Sequence, residues 1–150
     1  MQYLTIQDVL WINLQVTKRV NKFDYATLED ATFSQYAVGG AEGIALQAAR
    51  FLSTFLRMRP ITAGSEATAL IATLGFLSAY GMDVTLKDES GTTWFSRVMA
   101  NPAGAADFIH EIVTEVHGGH GLELHTALEE TLAAFPKTLE SLHGHTVASA

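Results

Sequence analysis

The chain of 150 residues has no cysteine, which rules out disulfides and thiolate metal sites. Proline occurs three times, as Pro60, Pro102 and Pro136, and each position reads as a helix stop. Basic residues are scarce: nine Lys and Arg stand against sixteen Asp and Glu, for a formal charge of −7. Such a balance argues against a nucleic-acid partner or an anionic membrane surface unless the few cations cluster. Lys18, Arg19 and Lys22 form the one dense group, and three charges are too few to reverse that reading. The opening Met1-Gln2-Tyr3-Leu4-Thr5-Ile6-Gln7-Asp8 shows no basic segment followed by an apolar run, so no signal peptide is visible and a cytoplasmic location is expected. The longest apolar stretch, Ala67 to Tyr80, would span about 21 Å as a helix and is interrupted by Thr68, Thr73 and Ser78. That fits a buried core helix better than a membrane span. Nucleophile-elbow, Walker and dinucleotide motifs are all missing, as are internal repeats and low-complexity segments.

What is present is a strongly helical pattern. Nearly half the residues are apolar, enough for one domain with a real core. Thr5 is a plausible N-cap, followed by Ile6, Val9, Leu10 and Leu14 at helical spacing. A short helix is expected through Leu28, Ala31 and Thr32. A clear amphipathic helix follows from Ala41, through Ala45, Ala48, Ala49, Leu52 and Phe55, and ends at Pro60. The segment Ser65 to Tyr80 is apolar nearly all round and should be the central, buried helix, closed by Gly81. Val84-Thr85-Leu86 reads as extended, one rung of a very short hairpin. A helix is expected from Thr93 to Ala100, another from Ala105 to Val116, and a last one through Leu124, Leu128, Leu132 and Phe135, closed by Pro136. The expectation is an all-α domain over residues 1–141, with a mobile tail over 142–150.

The most informative stretch is Arg59-Pro-Ile-Thr-Ala-Gly-Ser-Glu-Ala-Thr-Ala-Leu70, a loop leading through a Gly-Ser turn into the central helix. It resembles the signature loop of the Fic/Doc (death-on-curing) family, roughly His-Pro-Phe-x-Asp-Gly-Asn-Gly/Lys-Arg-Thr-Ala. The likeness extends to Tyr3 through Leu10, to Ala48-Ala49-Arg50-Phe51-Leu52, to Phe76 through Gly81 and to Thr85 through Glu89, covering about residues 1 to 90. It implies a Fic/Doc-like helical bundle around the buried central helix. In that family the signature His takes a proton from a target hydroxyl, the acidic residue holds Mg²⁺, the Gly-Asn turn cradles phosphates and the Arg neutralises them. Phosphoryl and nucleotidyl transfer rest on this positioning and charge stabilisation.

Here the His position is Arg59, which cannot act as a base. The metal-ligand position is Ala63, the Asn position Ser65 and the Arg position Ala67; Pro60, Gly64 and Thr68-Ala69 survive. The resemblance therefore implies a catalytically degenerate scaffold with no catalytic residues and no cofactor, binding ATP and Mg²⁺ weakly or not at all. Since relatives of that family are toxins held by antitoxins, a protein-binding or toxin–antitoxin-derived module is the leading expectation, with a protein partner. The alternative is a divergent phosphoryl or nucleotidyl transferase acting on protein hydroxyls, using Glu66 with Thr62, Thr68 or Arg59 in new roles. A structural, self-associating domain without a ligand is the third.

The loop itself has two readings. Arg59, Pro60, Thr62, Gly64, Ser65, Glu66 and Thr68 are the candidates for a residual anion site at the helix start, with Arg57 as added charge. In the simpler and favoured reading, Ser65 caps the helix while Glu66 complements its dipole. His117, His120 and His125 are weak metal candidates, set in a glycine-rich segment whose spacing matches no helix-borne His-Glu-x-x-His motif. Trp11 and Trp94 read as core or interface aromatics. Trp11 and Ile12 fall off the first helix's Ile6-Leu10-Leu14 stripe, which leads to the expectation of a homodimer unless the second helix packs over Trp11.

Overall fold

A computed structural model describes residues 3–36, 43–115 and 123–148. The fold is all-α, with one two-stranded antiparallel sheet. Helix α1 (Ile6–Thr17) starts with a capping box in which the Thr5 hydroxyl accepts from Asp8 N and the Asp8 carboxylate accepts from Thr5 N. The short helix α2 (Tyr25–Phe33) is capped by the Asp24 carboxylate. Helix α3 (Ile44–Met58) and helix α4 (Ser65–Ala79) each contribute a large share of the core.

Every residue from Ser65 to Leu77 except Glu66 is buried, so α4 is the central helix that the sequence predicts. It can be apolar all round because it is covered all round: α1, α3 and α7 pack on it. Gly75 is the contact point with α7 (Leu124–Ala134), where an added Cβ would meet Leu128 Cδ2 at 2.5 Å. Gly81, at φ +81°, closes α4 as predicted.

Four expectations are corrected. Helix α5 begins at Asp88 rather than Thr93 and runs to Ala100. Its first turn has few apolar residues but places Asp88 and Glu89 in the favourable field of the helix N-terminus. The helix predicted from Ala105 to Val116 stops early: a 3₁₀ turn (Pro102–Gly104) leads into α6 (Ala105–His110), and the chain then extends. Strand β1 (Met82–Val84) pairs antiparallel with β2 (Val113–Glu115), in the register Met82 to Glu115 and Val84 to Val113. Of the expected rung Val84-Thr85-Leu86 only Val84 lies in β1, and the β-branched Val113 and Thr114, which suit a strand, pair with it from a distance instead of in a local hairpin. Helix α7 (Leu124–Ala134) ends ahead of Pro136 as expected but is not the last helix: Pro136 opens α8 (Pro136–Ala148), where its missing N–H costs nothing.

The boundary expected at residue 141 thus falls inside α8, and Leu142 is buried. One contiguous buried cluster runs from Leu4 to Leu142. Ile12, which lies off the Ile6-Leu10-Leu14 stripe, is fully buried in it, and Trp11 lies against the ring of His125 on α7 with centroids 4.4 Å apart. Among the described residues no helix is long and apolar enough to cross a membrane.

Candidate functional site

The loop between α3 and α4 is built by two backbone reversals. Helix α3 ends because Arg59 turns left-handed, at φ +45°, while its N–H still reaches Phe55 O at 2.9 Å. Pro60 then bars further helix. The chain runs alongside the segment after α1: Ile61 bridges Phe23 antiparallel, and Thr62 N donates to Lys22 O at 2.9 Å. The second reversal is Gly64, at φ +73°, which precedes the first residue of α4. A Cβ here would meet Thr17 Cγ2 at 2.5 Å as well as occupy a left-handed conformation, so both backbone and space require glycine.

Ser65 does not cap α4. Gly64 is the N-cap, no side chain caps the first turn, and Ser65 already lies inside the helix. Its buried hydroxyl turns backwards, donating to Ile61 O at 2.8 Å and accepting from Ile61 N at 3.3 Å. The physical reason is reach: once Gly64 takes the left-handed turn, Ile61 is the nearest pair of open backbone groups. Glu66 stands in the first turn as predicted, and its carboxylate is ion-paired with Arg59. Arg59 is largely exposed at 63% while Glu66 is only 12% exposed, so the guanidinium lies over the carboxylate from the solvent side. Ala67 is buried, and Thr62 is exposed.

Beneath the loop lies a polar cluster that the sequence reading does not single out. Asn13, on the core face of α1, donates from Nδ2 to Ala63 O at 2.8 Å and to Thr68 Oγ1 at 3.1 Å. Its Oδ1 accepts from Asn21 Nδ2 at 2.9 Å, and Asn21 also donates to Thr17 Oγ1 at 2.8 Å. Thr17 Oγ1 lies 2.9 Å from the backbone oxygens of both Asn13 and Arg19, which share its single proton. The one signal available beforehand is that Asn13 interrupts the Val9-Ile12-Val16 face of α1 with a polar residue. An amide buried there requires partners.

The structure therefore brings Arg59, Gly64, Ser65, Glu66 and Thr68 together around the start of α4, but as groups satisfied by one another. Glu66 faces Arg59, Ser65 faces Ile61 and Thr68 faces Asn13. The described loop offers no imidazole and no second carboxylate, and so neither a proton acceptor of near-neutral pKa nor a paired set of metal ligands. His125 lies beside Trp11, with Nε2 3.0 Å from the Glu129 carboxylate. His117 and His120 lie outside the described residues, and among those described no group of three His, Asp or Glu is placed to hold a metal. A separate depression between α4, β1 and α7 is lined by Leu74, Met82, Leu86, Glu130 and Phe135, among others, and by no loop residue.

No protein-family model, no curated protein and no solved structure matches the chain.

Proposed function

We propose that this protein is a catalytically degenerate Fic/Doc-like domain that serves as a protein-binding or toxin–antitoxin-derived module. The observation that carries the reading is the Arg59–Glu66 ion pair over the start of α4. A phosphate-transfer loop needs donors and cations left open for the substrate. In this chain the cation at the His position is spent on a carboxylate of the loop itself. A nucleotide phosphate approaching that helix start would meet Glu66 as a fixed negative charge. The Fic/Doc likeness of the segments around the loop supplies the scaffold side of the argument, and the four replaced positions supply the loss of chemistry.

The decisive experiment is incubation of the full chain with labelled ATP or other nucleotides, Mg²⁺ and cell lysate, alongside calorimetry with ATP and Mg²⁺. The reading predicts no labelled protein and no saturable heat. Labelled protein hydroxyls that disappear with Glu66→Ala would overturn it in favour of a divergent nucleotidyl or phosphoryl transferase. On the same reading the partner is another protein, and a second copy of this chain is one such partner.

A further inference from the structure

Among the described residues, every large apolar side chain that remains exposed lies in one stretch, from Leu14 to Leu46. Val20 is 88% exposed, Tyr25 59% and Phe33 43%. Single exposed apolar residues scattered over a surface are ordinary; here Leu14, Val20 and Phe23 share one depression, while Leu46 lies apart beside Pro102 and Ala106. Within this region a groove of about 360 Å³ opens between the outer face of α1, through Leu10, Trp11 and Leu14, and the segment carrying Arg19, Val20 and Phe23.

Helix α2 lends this groove no lining residue but packs beside α1. Gln35 accepts from Leu4 N at 2.7 Å and donates to Leu4 O at 2.8 Å, so the end of α2 is fixed beside the start of α1. Helix α2 therefore runs back antiparallel along α1. It turns Leu28, Ala31 and Thr32 inward and leaves Ala26, Asp30 and Phe33 outward, with Glu29 at the margin.

Charge divides this surface in two. Lys18, Arg19 and Lys22 are exposed at the groove end, and none of them is in an ion pair among the described residues. Glu29 and Asp30, on α2, are equally without a cation there. Asp24, between the two groups, is taken up in capping α2 through Thr27 N at 2.9 Å. The surface thus carries exposed cations over residues 18–22, with Val20 and Phe23 among and beside them, and carboxylates on α2, with Phe33 beyond them. A two-fold interface requires a patch of this self-complementary kind.

We infer that this face binds a second copy of the chain, the Lys18–Lys22 segment of each protomer lying against α2 of its partner. Val20, Phe23 and Phe33 are then enclosed between the two, and each acidic α2 meets unpaired cations. Nucleic acid fits the surface worse, because Glu29 and Asp30 would face its phosphates. A bilayer fits it worse too, since those carboxylates would meet anionic headgroups and a flat surface leaves the groove unfilled. The inference names the partner and the surface, and it stands or falls separately from the reading of the Arg59–Glu66 loop.

The test is sedimentation equilibrium of the full chain from about 1 µM to about 100 µM, a range in which modest interfaces dissociate. The weight-average mass should rise from 16.2 kDa towards twice that value. Lys18→Glu, Arg19→Glu and Lys22→Glu together should leave a monomer, and so should Glu29→Lys with Asp30→Lys. Mixing the two variants in equal amounts should restore the dimer, because each then offers the charge the other lacks. Four of the five positions are exposed and Glu29 is half-buried, and an unchanged circular dichroism spectrum confirms folding. A mass of 16.2 kDa at every concentration overturns the inference. So does a charge-reversed variant that stays dimeric alone, or a wild-type monomer that sediments with anionic phospholipid vesicles.

Discussion

Arg59 and Glu66 form an ion pair that spans the reversal between α3 and α4, so the cation and the carboxylate at the start of the central helix neutralise each other. The pair is partly open to water, and its worth to stability is about 0.5–1 kcal/mol. Its larger consequence is electrostatic. With Glu66 neutralised, the field of the α4 N-terminus and the Arg59 charge would both face solvent. Titration of inorganic phosphate, followed by amide shifts of residues 64–68, should show about a fivefold gain in association for Glu66→Gln over wild type, equivalent to about 1 kcal/mol. Arg59→Gln should show no gain. Equal titrations for all three proteins would mean that the pair does not govern the site.

Asn13 should be among the most sensitive polar positions in the chain. It is 3% exposed and its amide holds Ala63 O, Thr68 Oγ1 and Asn21 at once. Asn13→Ala removes the donors and leaves a backbone oxygen buried without a partner, at a cost of about 2 kcal/mol. Asn13→Asp keeps the shape but replaces two donors with acceptors facing other acceptors, and should cost at least as much. Urea unfolding measures both, and a change in Asn13→Ala below about 0.5 kcal/mol would show that water takes over the amide's role.

The sequence made legible what depends on neighbours along the chain. The Thr5 cap, the stop at Pro60 and the end of α4 at Gly81 are all local chemistry, and all are found. So is the buried α4, whose uniform apolarity leaves no wet face. What escaped depends on distant partners. Asn13 acquires its meaning from residues 50 and 55 positions away, and Val113 becomes a strand only because Val84 lies beside it. The start of α5 was hidden because Gly91 and its polar neighbours give no apolar period. Ser65 was misplaced by one position, since the left-handed turn at Gly64 decides which residue caps.

Gly91 should tolerate no side chain, although it sits inside a helix where alanine is normally the better residue. An added Cβ would lie 2.1 Å from Thr138 Oγ1, and that oxygen is held by the Asp88 carboxylate at 2.8 Å, so it cannot simply swing away. The helix-propensity gain of Gly91→Ala is about 1 kcal/mol, and overpacking should exceed it by about 1–3 kcal/mol. In a Thr138→Ala background the hydroxyl and methyl are gone, and the penalty should shrink. The double-mutant cycle should therefore show coupling of about 1 kcal/mol or more, while strict additivity would place the clash elsewhere.

Acid should unfold the protein through the starts of three helices. Asp88 accepts from Thr138 N at 2.9 Å and from Lys137 N at 3.0 Å, so a residue of α5 caps α8. Partial desolvation works to raise its pKa, but the hydrogen bonds from Thr138 and Lys137 outweigh this and hold it below the usual aspartate value. Thr27 lowers the pKa of Asp24 through its hydroxyl and its N–H, and the N–H groups of His125 and Thr126 lower that of Glu123. In each case the folded state binds its proton less readily than the unfolded chain does. The stabilisation is therefore fully present above the unfolded pKa and is lost as pH falls through the folded one. The urea midpoint should fall as pH drops below about 4, the ordinary carboxylate range. Asp88→Asn supplies the specific check: its deficit relative to wild type should be largest at neutral pH and should narrow as acid protonates the wild-type carboxyl. A deficit that stays constant from neutral pH to the acid limit would show that the charge on Asp88 contributes nothing and that its geometry alone holds α8.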